Sequence, residues 1–148
     1  LLHPSSVAVG YGVGTGGGRE ITVIDIGLDR SYEPGVELPT VYPAPGQTDV
    51  PTQWYAYESP DPVPGLPRPV GSPLTVSFLL GQEVTWGPVS LVAASGGPVD
   101  VVVVESQWRR SIGITPVRPL FRGTDYFATV SGTVDGRPFT KSWSFTTT

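Results

Sequence analysis

The chain carries a single histidine, His3, and neither cysteine nor methionine. A Ser-His-Asp triad or a zinc centre would have to use His3, which sits in a terminal turn beside Pro4. Thiolate metal sites, disulfides and a cysteine nucleophile are excluded outright. No G-x-S-x-G elbow exists to strain a serine into a nucleophile. Two carboxylate pairs, Asp25/Asp29 and Glu58/Asp61, are spaced for acid–base work or for calcium. One pair lies on a strand-like run and the other in a proline-rich loop, where carboxylates are ordinarily solvated. Gly12–Gly17 satisfies G-x-G-x-x-G, but a dinucleotide site needs a helix to open at the third glycine and an acid about twenty residues later. Here Arg19–Leu28 reads as strand, and the acids arrive too soon. No catalytic residue, no metal and no cofactor is therefore expected, and the chain is not expected to be an enzyme. The remaining candidates for chemistry are Trp54, Tyr55 and Tyr57, whose rings could stack on a sugar or a peptide strand or simply pack.

These residues must be held by strands. Leu, Ile, Val and Phe make up 41 of 148 residues, above the roughly 20% needed to build a core. The 19 Gly and 17 Pro, spread over the whole length, exclude a long-helix fold. No aliphatic run exceeds that of Val101–Val104, far short of the roughly 20 residues of a membrane helix. What is left is an all-β domain of ordinary size.

Residues 1–28 read as a β-hairpin: Val7, Val9, Tyr11 and Val13 alternate with small residues, Gly14–Gly18 turns the chain, and Ile21–Leu28 returns. Such a hairpin has edges and apolar faces to cover, so self-association through residues 1–28 is expected. Residues 29–38 have the composition of a linker. From residue 39 to 148 short strands alternate with turn clusters, and about seven strands at this spacing point to a β-sandwich. Pro43–Pro51 is read as a turn region, and Ser59–Pro73, with six prolines, as a surface loop. Leu74, Val76, Phe78 and Leu80 share one strand face, as do Tyr126, Ala128 and Val130, and again Phe139, Lys141, Trp143 and Phe145. Val84–Ala94 and Val99–Val104 read as two more strands, split by a Ser95-Gly96-Gly97-Pro98 turn. Trp86, Trp108 and Trp143 are assigned to the core or its margin. Asp135-Gly136 is the strongest hairpin signal in the chain.

Leu120 and Gly123 precede Tyr126 by six and three residues. That is the spacing of a tyrosine corner, in which the phenol bonds back to the preceding loop and pins a Greek-key crossing. Tyr126 is accordingly structural, and its loss should leave a buried backbone acceptor unsatisfied.

Charge is uneven. Residues 1–105 hold three Arg against eleven acids, whereas residues 106–148 hold six basic residues against Asp125 and Asp135, within an overall charge of −4. The basic excess of the second part is read as solubilising charge on outer strand faces, and no nucleic acid partner is expected.

Val41–Val50 (VYPAPGQTDV) and Pro119–Thr147 (PLFRGTDYFATVSGTVDGRPFTKSWSFTT) resemble the bacterial Ig-like domains patterned P-x-x-G-x-x-x-V … L-x-x-G-T-x-Y-x-x-x-V … W-x-F-T-T. Leu1–Leu28 is similar to the last two strands of the bacterial CAP (SCP-like) domain, which ends in I-L-x-P-x-x-x-x-V-G-V-G and a further strand. The resemblance implies an Ig-like Greek-key β-sandwich following the remnant of an upstream CAP domain. The parent would be secreted or displayed at the cell surface, and the module would be an extracellular or cell-envelope accessory. Residues 39–148 would serve a structural or interaction role, with the CAP domain as partner. The alternative is a carbohydrate module that uses Trp54, Tyr55 and Tyr57 on a cell-wall polymer. The His and Glu residues that line the CAP cleft lie upstream of the matching strands, so none is carried over, and His3 falls in the I-L-x-P turn. The absence of an initial methionine fits a processed or excised chain.

Overall fold

The structure, a computed structural model, describes residues 6–16, 19–28, 38–79, 81–106 and 110–148. His3, Asp29, Leu80, Trp108 and residues 29–37 of the expected linker lie outside the described residues. In chain order the strands are β1 (Ser6–Gly16), β2 (Arg19–Leu28), β3 (Thr40–Tyr42), β4 (Gln47–Val50), β5 (Gln53–Trp54), β6 (Val70–Gly71) and β7 (Leu74–Ser77). They continue with β8 (Val84–Ala93), β9 (Gly97–Pro98), β10 (Val101–Glu105), β11 (Ser111–Pro116), β12 (Asp125–Val134) and β13 (Arg137–Thr147). The described residues form no helix, and none long and apolar enough to cross a membrane is present among them.

β1 and β2 pair antiparallel as a two-stranded ladder. The ladder runs to Gly16, opposite Arg19, so Gly14, Thr15 and Gly16 are strand and not the turn that their composition suggests. Extended glycine costs entropy, not steric strain, and the paired main chain holds it in line.

The described residues from 38 onward form an all-β sandwich. One sheet has the order β10-β11-β7-β3 and the other β4-β13-β12-β8-β9, with β4 parallel to β13 and every other neighbour antiparallel. Alternation decides what faces inward. In the four-stranded sheet Val41, Val76 and Ile112 lie in one cross-strand row, with Leu74 and Ile114 in the next. In the five-stranded sheet Leu91, Ala128 and Trp143 form one row and Ala93, Tyr126 and Phe145 another. All of these side chains join one buried cluster between the sheets. Trp86 and Phe139 pack at its margin, and both rings contact Phe78, at centroid distances of 5.9 and 4.9 Å.

The two sheets are locked together at their ends. At one end the Asp135-Gly136 turn joins Val134 to Arg137, both turn residues having positive φ (50° and 74°) as a type I′ turn demands. The Asp135 carboxylate accepts the Glu83 N–H at 2.8 Å, and Asp135 N–H donates to Glu83 O at 2.8 Å, fastening the hairpin to the loop before β8. Arg110 Nε then donates to Gln82 O at 2.7 Å, tying in the start of β11. At the other end the chain leaves the four-stranded sheet at Pro116 and enters the five-stranded one at Asp125. Buried Leu120 plugs this crossover into the core. Phe121 N–H donates to Tyr126 Oη at 2.8 Å. Tyr126 is thus bonded to the loop that precedes it, but as acceptor: the backbone group that depends on the phenol is a donor, not the acceptor expected from the spacing.

Three further readings are corrected, and one strand is added. Gln47–Val50 is a strand inside the expected turn region, because it gains a parallel partner in β13 and buries Val50. Ser111–Pro116 is a central strand that its Gly and Pro conceal. Val99–Val104 is not one strand: Val99 N–H bonds Leu91 O in one sheet, while Val101 onward pairs with β11 in the other. Ser59–Pro73 is not wholly a surface loop, since Val63 and Val70 are 2% and 0% exposed and Val70–Gly71 is strand.

Tyr126→Phe should leave the Phe121 N–H without its partner and lower the stability by about 1–3 kcal/mol in chemical denaturation. Gly123 holds φ 59° on the same crossover, so Gly123→Val should cost about 1–2 kcal/mol for forcing a branched side chain into the left-handed region. An unchanged midpoint for either variant would show that the crossover tolerates loss of that constraint.

Candidate functional site

Trp54, Tyr55 and Tyr57 lie where the chain leaves the sandwich for a long excursion. β5 and β6 close its base by pairing Gln53 with Gly71 and Trp54 with Val70. Gly71 is obligatory there, because a Cβ would meet Pro116 Cβ and Arg118 O at 2.5 and 2.8 Å. The fifteen residues between the two strands are braced from within. Arg68 donates to Leu66 O at 2.6 Å and to Val63 O at 3.2 Å, and it pairs with Asp61 at 2.5 Å. Asp61 also accepts the Val63 N–H at 3.0 Å. The carboxylate pair Glu58/Asp61 is therefore not available as a unit, since Asp61 is spent on the loop's own structure. Val63, driven inward by this clasp, anchors the excursion on the outer face of the four-stranded sheet.

Between loop and sheet lies a groove of about 510 Å³. Trp54, Pro62 and Val63 wall it, and Thr75, Ser77, Ser111 and Thr115 face it from β7 and β11. The floor is uncharged. Thr75 Oγ1 is buried there with no hydrogen-bond partner, and Thr40 Oγ1 on the same sheet face shares that condition. The polar alternation of β7 is legible in the sequence, but the hydroxyls of β11 are not, because Gly113 and Pro116 mask the pattern of that strand.

Trp54, Tyr55 and Tyr57 line one shallow concavity together with Gln53, Ala56 and Glu58, but the three rings are unequally exposed. Trp54 is half-buried against the groove, whereas Tyr55 and Tyr57 are 46% and 82% exposed. The tyrosines stack on each other with centroids 5.5 Å apart and ring planes 27° from parallel. Between them Ala56 is buried with φ 50°. A non-glycine residue in that region is held against a local cost of about 1–2 kcal/mol.

The other sequence candidates are placed as follows. Leu120, Gly123 and Tyr126 belong to the crossover, and Asp135 and Gly136 to the opposite hairpin. The Asp25 side chain, like Asp29 and His3, lies outside what is described. Among the described residues no three His, Cys, Asp or Glu come together as metal ligands. The G-x-G-x-x-G run is followed by strand β2, not by a helix. Exposed Arg118 and Arg122 sit on the crossover and exposed Arg137 beyond the far end of β12, so the ten residues of that strand separate them by about 30 Å. These bases do not converge on one surface.

No protein-family model matches this sequence, and no curated protein is a significant match to it.

Arg68→Ala should loosen the excursion without unfolding the sandwich. The expected loss is about 1–2 kcal/mol, because two of the three bonds go to partly buried carbonyls. Limited proteolysis should cut between residues 58 and 70 faster than in the parent chain. Equal cleavage rates would show that Val63 alone holds the loop.

Proposed function

We propose that this chain is a non-enzymatic, Ig-like accessory module of a secreted or cell-surface protein, and that the 53–71 excursion is its contact surface. Several features support the Ig-like part of this reading. Read across each sheet, the orders β3-β7-β11-β10 and β4-β13-β12-β8-β9 are compatible with the Ig sandwich, four strands ABED against a sheet built on CFG. Tyr126, near the start of β12, occupies the place of the conserved corner tyrosine in that fold. The paired β1 and β2 are compatible with the tail of a CAP domain, which would make that domain the module's covalent neighbour.

The observation that carries the contact role is Ala56. Strained backbone persists only where its surroundings impose it, and such positions cluster at binding surfaces. Here the strained residue lies between two exposed tyrosines that stack on each other, an arrangement that contributes nothing to the core. Their outward ring faces suit a pyranose ring, whose axial C–H groups pack on aromatic faces. A cell-wall polysaccharide is therefore the ligand class favoured.

Tyr57→Ala tests this reading, since so exposed a side chain can be removed without disturbing the fold. In pull-downs with peptidoglycan and on a glycan array, the parent chain should bind and Tyr57→Ala should lose at least tenfold in affinity, with the same denaturation midpoint. Binding that survives the substitution, or no binding to any wall polymer, removes the carbohydrate role. Turnover of peptidase, esterase or glycosidase substrates that disappears with one surface carboxylate would overturn the accessory role itself.

A further inference from the structure

The sandwich has four sheet edges: β3, β10, β4 and β9. Three are short or blocked. β3 has three residues between Pro39 and Pro43, β9 is Gly97–Pro98, and β4 has four residues followed by Pro51. Proline and brevity are the usual means of keeping an edge from pairing with another chain.

β10 uses neither. It is Val-Val-Val-Val-Glu, in unbroken register with β11. Val103 and Val104 are each 42% exposed. The bonds Val117 N–H to Asp100 O and Ser106 N–H to Ser111 O set the phase of its ladder. Even-numbered residues point their main-chain groups at β11. Val101, Val103 and Glu105 therefore direct theirs away from the sheet. Among the described residues no strand pairs with that side.

We propose that β10 is an association edge at which two copies of this chain pair antiparallel, about a twofold axis at Val103. In this register Val103 lies opposite Val103 of the second copy, and Val101 opposite Glu105. The three outward-pointing residues of each copy then exchange about six main-chain bonds, two for each hydrogen-bonded pair. Charge is compatible with this arrangement, because the twofold pairing sets each Glu105 against the neutral Val101 and brings no like charges directly opposite. The outer-facing Val102 and Val104 of one copy meet Val104 and Val102 of the other. The four side chains form an apolar strip continuous with Val104 at the rim of the Trp54 groove. The two four-stranded sheets become one. This association is independent of residues 1–28 and of the tyrosine pair.

The full-length chain should sediment as a dimer that dissociates on dilution. Val103→Pro removes an N–H aimed at the second copy and none that serves β11, so it should sediment as a monomer with its cooperative unfolding intact. Because the chain has no cysteine, single-cysteine variants report the geometry directly. Val103→Cys should be captured as a disulfide-linked dimer under mild oxidation much faster than Val92→Cys, which is comparably exposed but lies on the other sheet. A parent chain monomeric at every concentration overturns the proposal. So does a dimer that persists in Val103→Pro, or equal capture of the two cysteine variants; either outcome would place the contact elsewhere, residues 1–28 included.

Discussion

The sandwich depends on how the chain gets from one sheet to the other between Pro116 and Asp125. A crossover over the end of a two-sheet core carries backbone N–H and C=O groups into places that water reaches poorly, and each must find a partner. Tyr126 and Thr147 supply the partners. The phenol takes the Phe121 N–H, and the buried Thr147 hydroxyl donates to Phe121 O at 2.5 Å while accepting the Thr124 N–H at 3.1 Å. The main chain adds Gly123 N–H to Thr147 O and Thr147 N–H to Thr124 O. With the loop satisfied in this way, Leu120 can enter the core. Tyr126 can lie flat on Phe145, centroids 5.5 Å apart.

The opposite end solves the same problem with a carboxylate. Asp135 serves both as a turn residue that tolerates positive φ and as an acceptor for the Glu83 N–H, so one side chain shapes the hairpin and docks it. Gly132 shows how closely the strands fit nearby. It sits just past a bulge between β8 and β12, and a Cβ there would collide with Thr85 O and press on the Phe139 ring. The Phe139 ring, packed in turn against Phe78 and Trp86, approaches the space that this glycine leaves open.

The 53–71 excursion is built on different terms. Its buried residues Val63 and Val70 stand outside the cluster that makes the core, and the Arg68–Asp61 clasp bonds only within the loop. Nothing in the sandwich requires Tyr55 and Tyr57 to be exposed or Ala56 to be strained. The open edge of β10 is likewise surplus to the fold. The features that the core does not need are therefore the ones on which association and recognition can act, and the groove beside Trp54 lies between them.

Much of this was legible from residue types. Leu74, Val76 and Phe78, and likewise Tyr126, Ala128 and Val130, alternate with polar residues, so period-two burial was visible wherever a strand has one wet face. Asp135-Gly136 and the Leu120/Gly123/Tyr126 spacing are local signals, because turn chemistry needs only neighbouring residues. What the sequence by itself could not determine was pairing. Gln47–Val50 and Ser111–Pro116 are short and contain residues poorly suited to strands; only a partner ladder makes them strands. The valines from 99 to 104 look alike, yet main-chain bonds place Val99 with one sheet and Val101–Glu105 with the other. The place of Trp54 on the wall of the groove, and the direction of the Phe121–Tyr126 bond, were also set by tertiary structure. Both follow from where distant segments lie, and no local pattern of residue types encodes that.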